Sequence, residues 1–337
     1  MRQRISVGIS RNGGIGDTLF LSAFAKAVKT KYFPCEITVF VRKDGLDVLT
    51  RDPNIDHILL GPMTAKELEP IGKKFEIFFD CRYATRTYFN NPAFDDGDNE
   101  ILFRKYHLLW KGFTASNRFL LDYGINTFAL PFITTNLNAS PDDLFIWRKE
   151  YPLDLEDKSF VALHTDSSQA PTKGWFADYW QEVINWLSEH KIPTVLVGLL
   201  TKDKYKNVSL DLRGKTDVHQ VADVIAKAKL LIGPESGLVH IARAVKTQSV
   251  VLFGPTPPSL FGYSDNINIQ VGTCRNCFCG GSFWFLSCWK YAYPKCMREI
   301  RPELVISYLN SLFFGVNEPI GLKSGEELVK EGAIKVK

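Results

Sequence analysis

The sequence predicts an α/β protein built from two parallel-sheet domains, and three observations carry that expectation. Short apolar runs alternate with amphipathic stretches of helical period, the order that a parallel sheet with crossover helices requires. The alternation lapses in a polar, proline-bearing stretch at residues 134–159 and then restarts, as a chain does at a domain boundary. The length of 337 residues suits about two domains of the usual size.

Composition supports this and excludes other classes. A hydrophobic fraction of 45% and an aromatic fraction of 13% supply two packed cores and leave no long biased region that would stay disordered. The net charge of +4 is compatible with acidic substrates but lacks the clustered basic face of a nucleic-acid binder. Arg2 and Arg4 precede only a short apolar strand, not a secretory h-region. No apolar run approaches the ~18 residues that span a bilayer, so a cytoplasmic location is expected. Of seven cysteines, five lie between Cys274 and Cys296. Such clustering favours metal ligation or reduced thiols over a disulfide framework.

The first half opens with an apolar strand at 5–9. The loop Arg11-Asn12-Gly13-Gly14-Ile15-Gly16-Asp17 follows, then a helix with Leu19, Phe20, Ala23, Phe24 and Ala27 on its apolar positions. Gly13, Gly14 and Gly16 let backbone approach a ligand, and Asp17 stands where a carboxylate can cap the helix. The spacing matches neither G-x-G-x-x-G nor a phosphate loop ending in Lys-Ser/Thr. Strands expected at 36–41, 58–60 and 75–79 alternate with helical stretches at 46–50 and 65–72. Residues 83–113 are aromatic and irregular, suiting a cleft wall or loop packing. Asp96 and Asp98 form an Asp-x-Asp pair, but DDGDNE is polar on every side with no strand leading into it, and reads as a solvated turn.

After the linker the pattern restarts with a strand at 160–164, a loop, a helix at 177–190 and a strand at 194–198. The loop presents Ser167, Ser168 and Lys173 at the carboxyl end of a strand, where ligands of open α/β sheets sit; a lone loop lysine is otherwise simply solvated. Residues 210–216 lead into a helix at 218–226. The chain is organised around the next stretch, 228–258. Its strand Leu230-Leu231-Ile232 stops at Gly233-Pro234, Glu235, Ser236 and Gly237 open a helix carrying Leu238, Ile241, Ala242 and Val245, and a second strand follows at 250–253. Free N–H groups and the helix dipole would stabilise a diphosphate there, by roughly 0.3–1 kcal/mol from the dipole alone. An unliganded βαβ unit has the same pattern. These elements outline two Rossmann-like domains facing across a cleft, at 1–145 and 155–300, with a helix and tail at 301–337 free to pack toward the first domain.

Five stretches in fixed order carry a resemblance: GGIGDTLFLSAFAKAVKTKYFPCEITVFV, HTDSSQAPTKGWFADYWQEV, DLRGKTDVHQVADVIAKAKLLIGPESGLVHIARAV, VVLFGPTPP and CRNC…CMREIRPELV. Together they resemble glycosyltransferase family 9, the ADP-heptose heptosyltransferases of bacterial surface polysaccharide assembly. The resemblance covers about residues 5–310. It implies a GT-B architecture with the acceptor mainly on the first domain, near Gly13, Gly14 and Gly16, and the nucleotide-sugar on the second. It implies inverting transfer of a heptose or related sugar from an ADP-sugar, with no metal in the chemistry. Asp17 occupies the family's Gly-Asp pair as the general base. Lys173 matches the basic residue before a tryptophan and would neutralise donor phosphates, in the loop that holds Ser167 and Ser168. Ser236, Gly237, Leu238 and His240 match the helix start that holds the diphosphate. The family's pattern has Asp where this chain has Glu235, one methylene longer.

The resemblance leaves lipid-linked saccharide and protein acceptors both open, and allows oligomers and peripheral contact with the inner membrane. Cys274, Cys277, Cys288 and Cys296 have the ligand count of a structural zinc or iron site, with Cys279 to spare, although C-x10-C-x7-C is not ribbon spacing. Similar clusters in the family branch that heptosylates autotransporters hold iron; reduced thiols are the alternative. Two other readings remain. Another GT-B enzyme, such as a nucleotide-sugar epimerase, would share the diphosphate site but release a free sugar. A metal-stabilised nucleic-acid module would need a basic face, for which Arg275, Lys290, Lys295 and Arg298 are interleaved with aromatics.

Overall fold

The computed structural model describes residues 4–61, 64–82, 84–95, 97–106, 120–122, 124–166, 170–278 and 283–315. Contacts divide the chain into two units. One comprises the chain through 151 with 217–226 and 237–247, and the other 152–216, 227–236 and the chain from 248 on.

In the first unit, β1 (Ile5–Ser10), β2 (Cys35–Val41), β3 (His57–Leu60) and β4 (Ile77–Asp80) are parallel. Antiparallel β5 (Arg86–Phe89) closes one edge, in the order β3-β2-β1-β4-β5. Val7, Ile9, Ile37, Val39, Ile77 and Phe79 are fully buried on one face of the sheet, and Phe40 and Phe78, on the other, are buried with Leu68, so the sheet is covered on both faces. α1 (Ile15–Lys31) is apolar nearly all round, burying every residue from Leu19 to Val28 except Lys26, and supplies Leu21, Phe24 and Val28 to that core. α2 (Ala65–Gly72) begins at a capping box between Thr64 and Glu67. The helix expected at 46–50 is absent. A three-residue 3-10 turn at Lys43–Gly45 and turns take its place, since five residues are too few to nucleate a helix without tertiary support. Asp98, expected in a solvated turn, instead begins α3 (Asp98–Lys105) after left-handed Gly97.

One carboxylate in this unit sets a pH dependence. Asp52 is 4% exposed; among the described residues its Oδ1 accepts from Asn54 alone, and Oδ2 has no partner. Burial pushes its carboxyl up from 3.8 to about 6, against the opposing Asn54 bonds. The folded state therefore holds this proton more tightly than the unfolded chain. That contribution to stability is complete below the unfolded value and is lost as pH rises through about 6. Ionisation of a carboxyl displaced this far costs roughly 3 kcal/mol. Asp52→Asn keeps the acceptor and removes the charge, so it is expected to be the more stable form at pH 7, by roughly 2–3 kcal/mol, with the gap closing toward pH 4. Urea melts at the two pH values check this; a gap independent of pH would refute it.

The second unit's sheet is parallel throughout. It contains β6 (Val161–His164), β7 (Thr194–Val197), β8 (Leu210–Asp211), β9 (Leu230–Pro234), β10 (Ser249–Leu252) and β11 (Ile267–Ile269), in the order β11-β10-β9-β6-β7-β8. α4 (Ala177–Glu189) buries Trp180, Val183, Ile184 and Leu187 against it. The helices α5 (Val218–Lys227) and α6 (Gly237–Ala244) follow in sequence, and α6, like nearly all of α5, clusters with the first unit. Short α7 (Pro258–Phe261) and α8 (Lys295–Glu299) precede α9 (Pro302–Phe314). α9 starts on a proline at its first turn and ends on left-handed Gly315. It buries Val305 and Leu309 in the core shared with α4, so it clusters with the second unit, and the expected tail from 316 on lies outside the described residues. Among the described residues no helix is long and apolar enough to cross a membrane.

Candidate functional site

Each sheet has one place where successive connections leave in opposite directions. In open α/β sheets ligands gather beyond the carboxyl ends of the strands at such a switch point. In the first unit it lies between β1 and β4. Arg11, just past β1 and 3% exposed, donates through Nη1 to the Cys81 carbonyl just past β4 at 3.0 Å, and through Nη2 to Asp17 Oδ1 at 2.6 Å. Asp80, at the end of β4, is 2% exposed and takes a forked pair of bonds from Arg82. Asp17 is the third residue of α1 and its side chain is half exposed, at 49%. The N-cap is Gly14, without a side-chain bond. Asp17 thus does not cap the helix as its position in the sequence suggested: the first-turn dipole favours it, and Arg11 fixes one of its oxygens.

The glycines of this loop have distinct reasons. A Cβ on Gly13 would lie 2.3 Å from Asp17 Cβ, and one on Gly16 would lie 2.4 Å from His240 Cδ2, while Gly14 faces open space. Gly13 thus makes room for the carboxylate, and Gly16 for the imidazole. His240, on α6, is 6% exposed and packs edge-on to Phe20 with ring centroids 5.0 Å apart. A Cβ on Gly237 would meet Ile15 Cβ at 3.1 Å, and Leu238 is buried. Gly237, Leu238 and His240, expected with the donor, therefore stand among the first unit's residues.

In the second unit the switch point lies between β6 and β9. His164 ends β6, and Ser236, two residues past β9, shares a 3.1 Å hydrogen bond between Oγ and His164 Nδ1. A Cβ on Gly233 would sit 3.0 Å from His164 Cβ, so glycine lets the strands carry both groups side by side. Burial lowers the His164 pKa to about 4, with the Asp166 charge opposing; the ring is neutral at neutral pH. Glu235, 6% exposed, accepts from Lys173 Nζ at 2.5 Å. The ammonium also lies 5.9 and 5.7 Å from the ring centroids of Phe261 and Trp284. Lys173 ends the 3-10 turn Pro171–Lys173, which Thr172 ties to the Phe285 carbonyl through N at 3.4 Å and Oγ1 at 3.2 Å. Ser167 and Ser168 lie outside the described residues.

Farther along this unit, Cys296 is 4% exposed. Burial first, then Cys274, Cys277 and Cys288, push its thiol up to about 12, against one backbone bond. Cys277 is raised by burial and by Cys288 and Cys274. The four thiols thus lie within range of one another's charge. Among the described residues, however, no three His, Cys, Asp or Glu side chains are grouped so as to hold an ion. Cys279 lies outside the described residues.

The pattern of the family described as glycosyltransferase family 9 (heptosyltransferase) matches residues 130–279. Over that stretch, a little under half of its length, the chain is similar to glycosyltransferase family 9. It is 24% identical to lipooligosaccharide heptosyltransferase 2 of Haemophilus ducreyi over 54% of this chain and 57% of that one, so it spans little more than half the length of this relative. A glycosyl transferase family 9 structure from Veillonella parvula superposes with a TM-score of 0.62 at 16% identity, over 94% of this chain and 99% of its own. The iron-containing dodecameric glycosyltransferase TibC from enterotoxigenic E. coli gives 0.62 at 16% identity, over 93% and 76%. A TibC complex with ADP-D-beta-D-heptose gives 0.61 at 17%, over 93% and 77%. At such identities these structures speak for the fold, which is α/β of the GT-B class. Within this fold, Arg11, Asp80 and His164 are polar residues at the switch points beyond those expected from the sequence. Each stands at or next to the carboxyl end of an apolar strand, and that position was the available signal.

Proposed function

We propose that the chain is an inverting glycosyltransferase that moves a heptose or related sugar from an ADP-sugar to a cell-surface glycan or protein acceptor. The observation that carries the reading is the pair of polar clusters at the two switch points. One holds an arginine-fixed carboxylate. The other holds a lysine, a serine and a neutral imidazole. In the reaction, the acceptor oxygen attacks the anomeric carbon from the face opposite the diphosphate. Its proton passes to the Asp17 carboxylate, and the bond to the departing ADP breaks. A positioned base contributes roughly 10²–10⁴-fold. Lys173 and Ser236 stabilise the leaving diphosphate in place of a metal ion, and Glu235 and His164 hold them for it. Gly237, Leu238 and His240 are proposed as donor-binding on the resemblance alone, as are Ser167 and Ser168. Calorimetry with ADP, ADP-heptose and UDP-sugars tests the donor. ADP and ADP-heptose are expected to bind and UDP-sugars to bind more weakly; no ADP binding, or preference for a uridine nucleotide, would overturn the assignment.

The same reading extends to the cysteines. Burial first, and then the neighbouring thiols, push Cys277 and Cys296 up, and a bound zinc or iron ion would favour their thiolates. Such an ion would be structural, since four thiolates leave no open coordination position. Elemental analysis of untagged protein is expected to find about one equivalent of zinc plus iron. Less than about a tenth of an equivalent, with all seven thiols free to titrate, would leave reduced cysteines only.

A further inference from the structure

From residue 274 to 298 the chain carries Arg275, Lys290, Lys295 and Arg298 and no acidic residue, among seven aromatic side chains. The segment is anchored from beneath. Trp284 is buried and packs edge-on to Phe278 at 4.8 Å, and the Phe285 carbonyl accepts from Thr172. Its neighbours nevertheless stand in solvent: Phe283 is 67% exposed, Leu286 50%, Trp289 70% and Tyr293 48%. The Leu286 N–H bonds back to the Phe283 carbonyl, so those two side chains flank one turn. Held backbone with exposed large apolar side chains marks a surface with an interaction partner.

The charges say which. Lys295 and Arg298 face Glu299 and Asp178 at 3.6 and 3.7 Å. Arg275 and Lys290 are exposed, and no carboxylate pairs with either among the described residues. Lys290 and Lys295 flank the Tyr291 ring, 5.6 and 5.4 Å from its centroid. Exposed tryptophan, tyrosine and phenylalanine in a turn whose Lys290 has no carboxylate partner among the described residues suit the boundary between anionic headgroups and acyl chains: the rings enter the interface and the ammonium meets phosphate. We propose that the turn at 283–293 is a docking surface for an anionic phospholipid bilayer. The proposal rests on the transferase reading in one respect, that a lipid-carried acceptor is reached from the membrane plane.

The test uses the full chain and vesicles of phosphatidylglycerol with phosphatidylethanolamine, with pure phosphatidylcholine as control. Sedimentation with the anionic vesicles is expected, weakening as salt rises. The variant F283S/L286S/W289S should lose at least about tenfold in partitioning, and R275E/K290E should lose about tenfold together with most of the salt dependence. ADP calorimetry on the same variants should be unchanged, so loss of ADP binding by the native chain would indict the donor reading and leave this one standing. Absence of anionic-vesicle binding, or equal binding by the variants, overturns the proposal. So does tighter binding to a single-stranded oligonucleotide than to vesicles, or a drop in oligomer mass in the triple variant with vesicle binding intact.

Discussion

Asp17→Asn is expected to reduce turnover by two orders of magnitude or more while leaving ADP affinity and the fold nearly unchanged. The amide oxygen can still accept from Arg11 Nη2, now 2.6 Å from Asp17 Oδ1, but it cannot take a proton from the acceptor. The structural cost is small for two reasons. Gly14, not Asp17, is the N-cap, so only the dipole contribution of about 0.3–1 kcal/mol is lost. The Asp17 side chain is half exposed, at 49%, so solvent screens its pairing with Arg11. Turnover with the genuine acceptor, ADP calorimetry and a thermal melt on one preparation check all three expectations. Near-normal turnover would demote Asp17 to a partner that orders Arg11. A collapse of the melt together with turnover would show that the Arg11 tether, and not proton transfer, had been removed.

The fold was legible because its signals are local. Apolar runs at β1, β2, β6, β9 and β10 and the helical periods of α2, α4, α5 and α9 each lie within one stretch of chain. The 46–50 stretch failed because a short apolar period does not tell a turn from a helix. The helix α6 was read as part of a self-contained strand, helix, strand unit. Which residues a crossover helix covers depends on tertiary packing, and here Gly16 and Phe20, from the other end of the sequence, receive His240. The same limit applies to the polar clusters. Asp17, Lys173, Glu235 and Ser236 could be named from their motifs. That Arg11 grips Asp17 depends on how the loop after β1 turns into α1, and that Lys173 rests on Glu235 and Ser236 meets His164 joins segments more than sixty residues apart, which no single motif reveals.

The Lys173–Glu235 pair allows the donor role to be separated from a structural one. Both side chains are largely buried, 18% and 7% exposed, so Lys173→Met alone strands the Glu235 carboxylate. Loss of one member of such a pair costs about 3–5 kcal/mol, and a marked fall in melting temperature is expected. Weak ADP binding by that variant would then say nothing about phosphate contact. Adding Glu235→Gln removes the stranded charge, and the double variant should recover most of the melting temperature, because a buried ion pair contributes little net stability over neutral groups of similar shape. Its ADP affinity should stay down roughly 10- to 100-fold, the worth of one charge-assisted bond to a phosphate. Glu235→Gln alone should bind ADP at least as well as the native chain, since the ammonium beside Phe261 and Trp284 no longer shares its charge with a carboxylate. Affinity that returns with stability in the double variant would mean that Lys173 serves only to neutralise Glu235, and the diphosphate would have to be held without it.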